Sequence, residues 1–294
     1  MKTLLDTGKV LWVHERGNRE NPTVVLIQGL SMQIVDWPEH FLNALEKEFH
    51  LVLFDNRDIG LSEQLNGAIR FEQVKSFEQL KKIYRNPFYT LNDMAEDVLS
   101  LFRKLEITTA HVVGYSMGGM ISQYVAAKLP QQVLSLTGLM TSGGQAGLAC
   151  SKDVELAILQ QTWDWGDIES VVKQSCLVEN LYTGSGYSWC QNEFEESSRV
   201  SLKRSYRPHG VCRQLLAILY CDDRREMLES LTIPTLFIHG DEDQCIPFEH
   251  AVEGASLMHG GEFLKIRGMG HSFPASLQSY FAELITKHIN NSIS

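Results

Sequence analysis

No run of about 18 apolar residues occurs in the 294-residue chain, so no membrane-spanning helix is expected. There is no basic block either. The formal charge is −10, from 26 Lys and Arg against 36 Asp and Glu. Such a chain lacks the electrostatic footprint of a nucleic-acid binder and is repelled by anionic membrane surfaces. The first nine residues hold no apolar segment and no cleavage site, so no cleaved signal peptide is expected and a cytoplasmic location is. The six cysteines form no C-x-x-C pair. A chain of this length without an export signal does not need disulfide staples, and free, mostly buried thiols are expected. Fixed-period repeats and low-complexity segments are also missing.

What is present is an ordinary globular composition, 44% hydrophobic and 21% charged, able to bury a sizeable core. Three short, largely apolar runs lie in the N-terminal half: residues 23–27, 51–54 and 110–114. Runs of this length suit central strands of a parallel sheet, buried on both faces. Helical patterns separate them, at residues 39–47 and 91–105. In the second, Met94, Val98, Leu101, Phe102 and Leu105 recur at spacings of three and four, with Asn92 as the expected N-cap. A helix over 117–129 stops at Pro130. A strand at 134–140 follows, and after a gap the rhythm resumes with strands at 235–239 and 262–266 and helices at 248–259 and 278–289. Strand–helix–strand alternation predicts an α/β fold with a mostly parallel central sheet flanked by helices. Residues 145–230 break the alternation with a helical, mixed pattern. We expect a core of residues 1–144 and 231–294, and an inserted helical cap of 145–230, too long for an ordinary loop.

Gly114-Tyr115-Ser116-Met117-Gly118 matches G-x-S-x-G between an apolar strand and a helix, the context of a nucleophile elbow. The bare pattern would also suit a glycine-rich turn with a solvated serine. A serine hydroxyl is a poor nucleophile without a base held by an acid. The chain order Ser, then Asp or Glu, then His is met by Ser116, by Asp241, Glu242 or Asp243 after the strand at 235–239, and by His271 after the last strand. Both loops follow C-terminal strand ends, the edge where open α/β sheets place their sites. The acids that do not orient His271 are expected to cap the helix near Pro247. The turn after the first strong strand, Gln28-Gly29-Leu30, nominates the backbone N–H of Leu30 as one oxyanion donor, and the residue after the serine, Met117, supplies the other.

These residues resemble the α/β-hydrolase superfamily, from about residue 8 to 290. Four blocks carry the resemblance: Gln28-Gly29-Leu30, Asp55-Asn56-Arg57-Asp58-Ile59-Gly60-Leu61-Ser62, Gly114 to Gly119, and Gly240 to Pro247 with Gly270-His271. D-N-R-D, Trp37-Pro38 and the G-M-G-H ending look most like bacterial esterases of the aclacinomycin methylesterase type. The resemblance places the acid on Asp243. It implies a serine esterase with the triad Ser116, Asp243 and His271, and an acyl-enzyme on Ser116. Two positions depart from the family pattern: Asp58 replaces a glycine, and Gln28 stands where many relatives have His. No acid follows the strand ending near Met140-Thr141, which argues against the triad variant that takes its acid there. The serine nucleophile counts against haloalkane dehalogenases and epoxide hydrolases, which use a carboxylate. The same triad could also serve C–C bond, thioester or perhydrolase chemistry, or the fold could bind a small molecule without catalysis.

His239, Asp241 and Asp243 could imitate a metal cluster but lack a second histidine at helical spacing, so no metal is expected. No organic cofactor is expected. Trp163, Trp165, Trp189 and Tyr187 could line a pocket, though tryptophans in a helical insertion more often form its own core. Arg57 is expected to anchor its loop by ion pairs. The expected partner is a small-molecule ester, with the chain a monomer or homodimer and no nucleic-acid or membrane partner.

Overall fold

The structure is a computed structural model, which describes residues 1–69, 74–160 and 167–293. Eight strands form one sheet: β1 (Lys2–Leu4), β2 (Val10–Arg16), β3 (Thr23–Ile27), β4 (His50–Phe54), β5 (Ala110–Tyr115), β6 (Val133–Leu139), β7 (Thr235–Gly240) and β8 (Gly261–Ile266). Their spatial order is β1-β2-β4-β3-β5-β6-β7-β8. β1 and β2 pair antiparallel, as do β2 and β4, and the remaining pairs are parallel.

Strand alternation divides the core between the two faces of the sheet. Val25, Ile27, Val52, Phe54 and Val112 point to one face. There they meet α3 (Leu91–Lys104) and α4 (Met117–Lys128) through residues such as Met94, Val98 and Ile121; α1 (Glu39–Leu45) and α2 (Phe77–Ile83) precede these helices in the chain. Val24, Leu26, Leu51, Leu53 and Val113 point to the other face, against Phe41 and Leu45 of α1.

Among the described residues, five helices lie between β6 and β7: α5 (Lys152–Gln160), α6 (Ile168–Tyr182), α7 (Gln191–Arg204), α8 (Pro208–Leu219) and α9 (Arg225–Glu229). The chain then returns through α10 (Phe248–Leu257) and ends in α11 (Gln278–Ile293). Phe281, Ile285 and Ile289 of α11 join α1 on the second face.

Three local features differ from the sequence expectation. The antiparallel strands β1, at the sheet edge, and β2, next to it, are additional. In β2 burial alternates, with Leu11 and Val13 inward and Trp12 partly exposed, and its short apolar stretch, Val10 to Val13, runs straight into His14, Glu15 and Arg16. Helix α2 is also additional, seven residues capped by Ser76. The N-cap of α3 is Thr90, not Asn92. Thr90 and Asp93 form a capping box that satisfies two first-turn donors, and Asn92 falls inside the helix.

The substituted glycine position has a structural partner. Asp58 lies in the left-handed region, with φ 71°. Its carboxylate receives Arg213 of α8 through Nε at 2.7 Å and Nη2 at 3.0 Å. Both side chains are fully buried, so the pair ties the loop after β4 to the helices between β6 and β7. Arg57 anchors the same loop to Asp97 of α3 at 2.6 Å, as expected. Removing one partner of a buried pair strands the other charge. Arg213→Met is therefore expected to lower stability by about 3–5 kcal/mol in urea unfolding. A loss under about 1 kcal/mol would mean that the pair contributes no more than a surface one.

Candidate active site

The strand order reverses between β3 and β5. β3 leads outward to β4, and the chain then crosses back to place β5 on the other side of β3. In open α/β sheets the crevice beyond the strand ends at such a switch point is where sites form. Ser116 follows β5 there, and Leu30 follows β3.

Ser116 sits in the one-residue turn between β5 and α4, with φ 53° and ψ −118°. A non-glycine residue in that region carries a strain of about 1–3 kcal/mol and persists only where its surroundings over-determine it. Those surroundings are visible. The Ser116 N–H donates to Leu139 O at 2.9 Å, and Thr141 Oγ1 donates to Ser116 O at 2.7 Å. The flanking glycines allow the tight crossing. A Cβ on Gly118 would lie 1.9 Å from Ile27 O, and one on Gly114 would lie 2.4 Å from Gly118 O.

From the turn, Ser116 Oγ lies 3.0 Å from Nε2 of His271. Nδ1 of the same imidazole lies 2.7 Å from Asp243 Oδ2. A carboxylate only accepts, so Nδ1 carries the proton and Nε2 is left to accept from the serine hydroxyl. Of the three acids after β7, only Asp243 has this contact. Asp241 accepts from the N–H of Gly268 at 2.7 Å, and Glu242 holds Ser185 through its N–H and hydroxyl at 2.6 and 2.7 Å. None of the three caps α10, whose N-cap is Pro247 with no side-chain bond, contrary to expectation. Asp241 and Glu242 are spent on holding other loops instead.

Asp243 is fully buried and satisfied on both oxygens. Oδ1 accepts from the N–H groups of Cys245 and Ile246 at 2.7 and 2.9 Å. Oδ2 also takes Nε2 of His239 at 2.9 Å. Burial alone would raise the Asp243 pKa, but the two histidines outweigh it and hold the carboxyl well below its ordinary range. Burial likewise opposes the His271 imidazolium, and the Asp243 charge reverses that and raises the His271 pKa well above its ordinary value. Tyr115 Oη donates to His271 O at 2.6 Å and fixes the loop that carries it.

Leu30 and Met117 both line the cavity at Ser116. Met117 is the first residue of α4, so its N–H has no acceptor within the helix. Gln28 is fully buried and braces the β3 turn: its amide donates to Phe54 O at 2.5 Å, and its own carbonyl accepts from Asn56 Nδ2 at 3.2 Å.

The cavity measures about 860 Å³. Its walls include Trp37, Met120, Ile158, Val178 and Phe273 beside Ser116 and His271. Helices α5 to α8 contribute much of the lining. Tyr187 and Trp189 line it too, rather than forming a separate core of the inserted segment. The reason is that the residues between α6 and α7 fold toward the sheet edge, where the Gly186 N–H donates to Gly268 O at 2.8 Å. Trp163 and Trp165 lie outside the described residues.

Two polar neighbours of the site escaped the sequence. His239 was weighed only as part of a metal-like cluster. Its place at the end of β7, four residues before Asp243, was the available signal. Glu179 lies within α6, where a lone carboxylate in a helical pattern looks like part of a solvated face. Among the described residues, no group of three or more His, Cys, Asp or Glu could hold a metal ion. All six cysteines are free thiols, and Cys190 is exposed. No helix among the described residues is long and apolar enough to cross a membrane.

The model of a family described as alpha/beta hydrolase fold matches residues 22–275. Rhodomycin D methylesterase DnrP of Streptomyces peucetius is 24% identical over 95% of this chain and 94% of its own. The bifunctional esterase/perhydrolase DCH of Acinetobacter calcoaceticus is 21% identical over 92% of each chain. Among solved structures, the enol-lactonase from Burkholderia xenovorans LB400 superposes with a TM-score of 0.78 at 18% identity, covering 99% of this chain and 100% of its own.

Proposed function

The chain belongs to the alpha/beta hydrolase fold family, and on that premise we propose that it is a serine hydrolase of small to medium carboxylic esters. The observation that carries the proposal is the unbroken hydrogen-bonded line from Ser116 through His271 to Asp243, opening on a largely apolar cavity. A base held by a buried acid makes a serine hydroxyl a competent nucleophile. Ester chemistry is favoured by the named activities of DnrP and DCH, which align with nearly the whole chain.

The reaction follows from this geometry. Ser116 Oγ bonds to the acyl carbon while His271 Nε2 takes the hydroxyl proton. The carbonyl oxygen becomes an oxyanion that accepts from the N–H groups of Leu30 and Met117. Collapse of the tetrahedral species breaks the bond to the alcohol oxygen, which leaves with the proton from Nε2. The acyl group now rests on Ser116. Water gives a proton to Nε2, attacks the same carbon, and a second collapse returns the proton to Ser116 and releases the acid. Asp243 holds the Nδ1–H tautomer and stabilises the imidazolium in both halves. The helical segment of residues 145–230 acts as a cap that shapes the cavity and limits access of water.

The test is a series of p-nitrophenyl acetate, butyrate and octanoate. Turnover of the acetate and butyrate is expected, at kcat values on the order of 1–1000 per second. No turnover of any of the three would overturn the esterase reading.

A further inference from the structure

Glu179 is a polar group of the cavity that the proposed reaction leaves unused. It sits in the last turn of α6, half-buried, and lines the cavity together with Thr183 and Ser272. Its polar partners are hydroxyls: Thr183 Oγ1 lies 3.5 Å from Oε1, and Ser272 hydrogen-bonds the same carboxyl. Thr183 Oγ1 and Ser272 Oγ are themselves 3.4 Å apart. Among the described residues, the positive neighbour that acts on Glu179 is His271, with no Lys or Arg beside it. Burial raises its carboxyl to about 6, which leaves it ionised at neutral pH. A carboxylate with no Lys or Arg partner is costly to hold ionised in an apolar cavity, and a ligand that supplies a charged donor removes that cost.

The position says which part of a substrate would do so. Ser272 follows His271 directly, so the Glu179 cluster lies on the imidazole side of Ser116. That is the side on which His271 Nε2 hands its proton to the departing alcohol. We propose that Glu179, with the hydroxyls of Thr183 and Ser272, forms a subsite for a protonated amine on the alcohol portion of the ester. The inference rests on the esterase reading above and adds a substrate class to it: aminoalkyl esters.

Two isosteric esters of one acid separate charge from shape. Dimethylaminoethyl butyrate and isopentyl butyrate share the acyl group and the outline of the alcohol, and differ by a protonated nitrogen in place of a CH. The wild-type enzyme is expected to prefer the amino ester in kcat/KM by about tenfold or more, the worth of a charge-assisted hydrogen bond. In Glu179→Gln that ratio is expected to fall to about one, because the neutral amide keeps the shape and loses the charge. The ratio cancels general losses of activity or folding, which affect both esters alike. Turnover of isopentyl butyrate without a preference for the amino ester, or a preference that survives in Glu179→Gln, overturns the subsite while leaving the esterase reading intact. Failure to turn over either ester overturns both.

Discussion

Ser116→Ala is expected to lower kcat on p-nitrophenyl butyrate by about 10⁴–10⁶, with the fold unchanged. The fold is expected to survive for a local reason. Ser116 is already a non-glycine residue at φ 53°, and alanine meets the same backbone constraint. The bonds that hold the turn, from Ser116 N–H to Leu139 O and from Thr141 Oγ1 to Ser116 O, are made by the backbone of residue 116 and remain in the mutant. What disappears is the hydroxyl 3.0 Å from His271 Nε2. The remaining rate comes from the oxyanion donors and substrate binding alone. Circular dichroism and the urea midpoint check the fold, and steady-state kinetics check the chemistry. Activity within tenfold of wild type would exclude Ser116 as the nucleophile.

Asp243→Asn is expected to lower kcat by about 10³–10⁴, against less than tenfold for Asp241→Asn. Asp243 reaches His271 Nδ1 at 2.7 Å, whereas Asp241 holds the Gly268 N–H. The pH profile gives a second, independent readout. His271 must be neutral to take the serine proton, so activity rises as pH rises through its pKa. Burial opposes the imidazolium, but the Asp243 charge keeps that pKa above its ordinary value. The acid limb of kcat/KM is therefore expected to have its midpoint above about 6.5 in the wild type. Removing the negative charge lowers the pKa, so the midpoint moves to lower pH in Asp243→Asn and stays in place in Asp241→Asn. A larger loss for Asp241→Asn would transfer the orienting role to that residue.

The inner strands were legible in the sequence because burial on both faces makes them largely apolar, as in β3, β4 and β5. Strand β2 was not, because its apolar stretch, Val10 to Val13, gives way at once to His14, Glu15 and Arg16. The candidate residues Ser116, Asp243 and His271 could be picked out by order and spacing, since each follows the C-terminal end of a strand of the sheet. The acid was not separable from its neighbours by spacing. Only the contacts distinguish Asp243 from Asp241 and Glu242, since each of those two is taken up by a different loop. The Asp58–Arg213 pair joins residues far apart in the chain. A left-handed aspartate in place of a glycine shows no partner until the helix that supplies it is in view. Glu179 was hidden for the same reason: beyond Thr183 at the end of its own helix, its partners Ser272 and His271 come from the loop after β8.

An acyl-enzyme on Ser116 is tested at its root by covalent labelling. The enzyme is to be incubated with a fluorophosphonate until hydrolysis of p-nitrophenyl butyrate stops, and the modified peptide located by mass spectrometry. One equivalent of adduct is expected, carried by the peptide containing Ser116, and no adduct in Ser116→Ala. Complete loss of activity with the adduct on another residue, or esterase turnover that persists without any modification of Ser116, would contradict it.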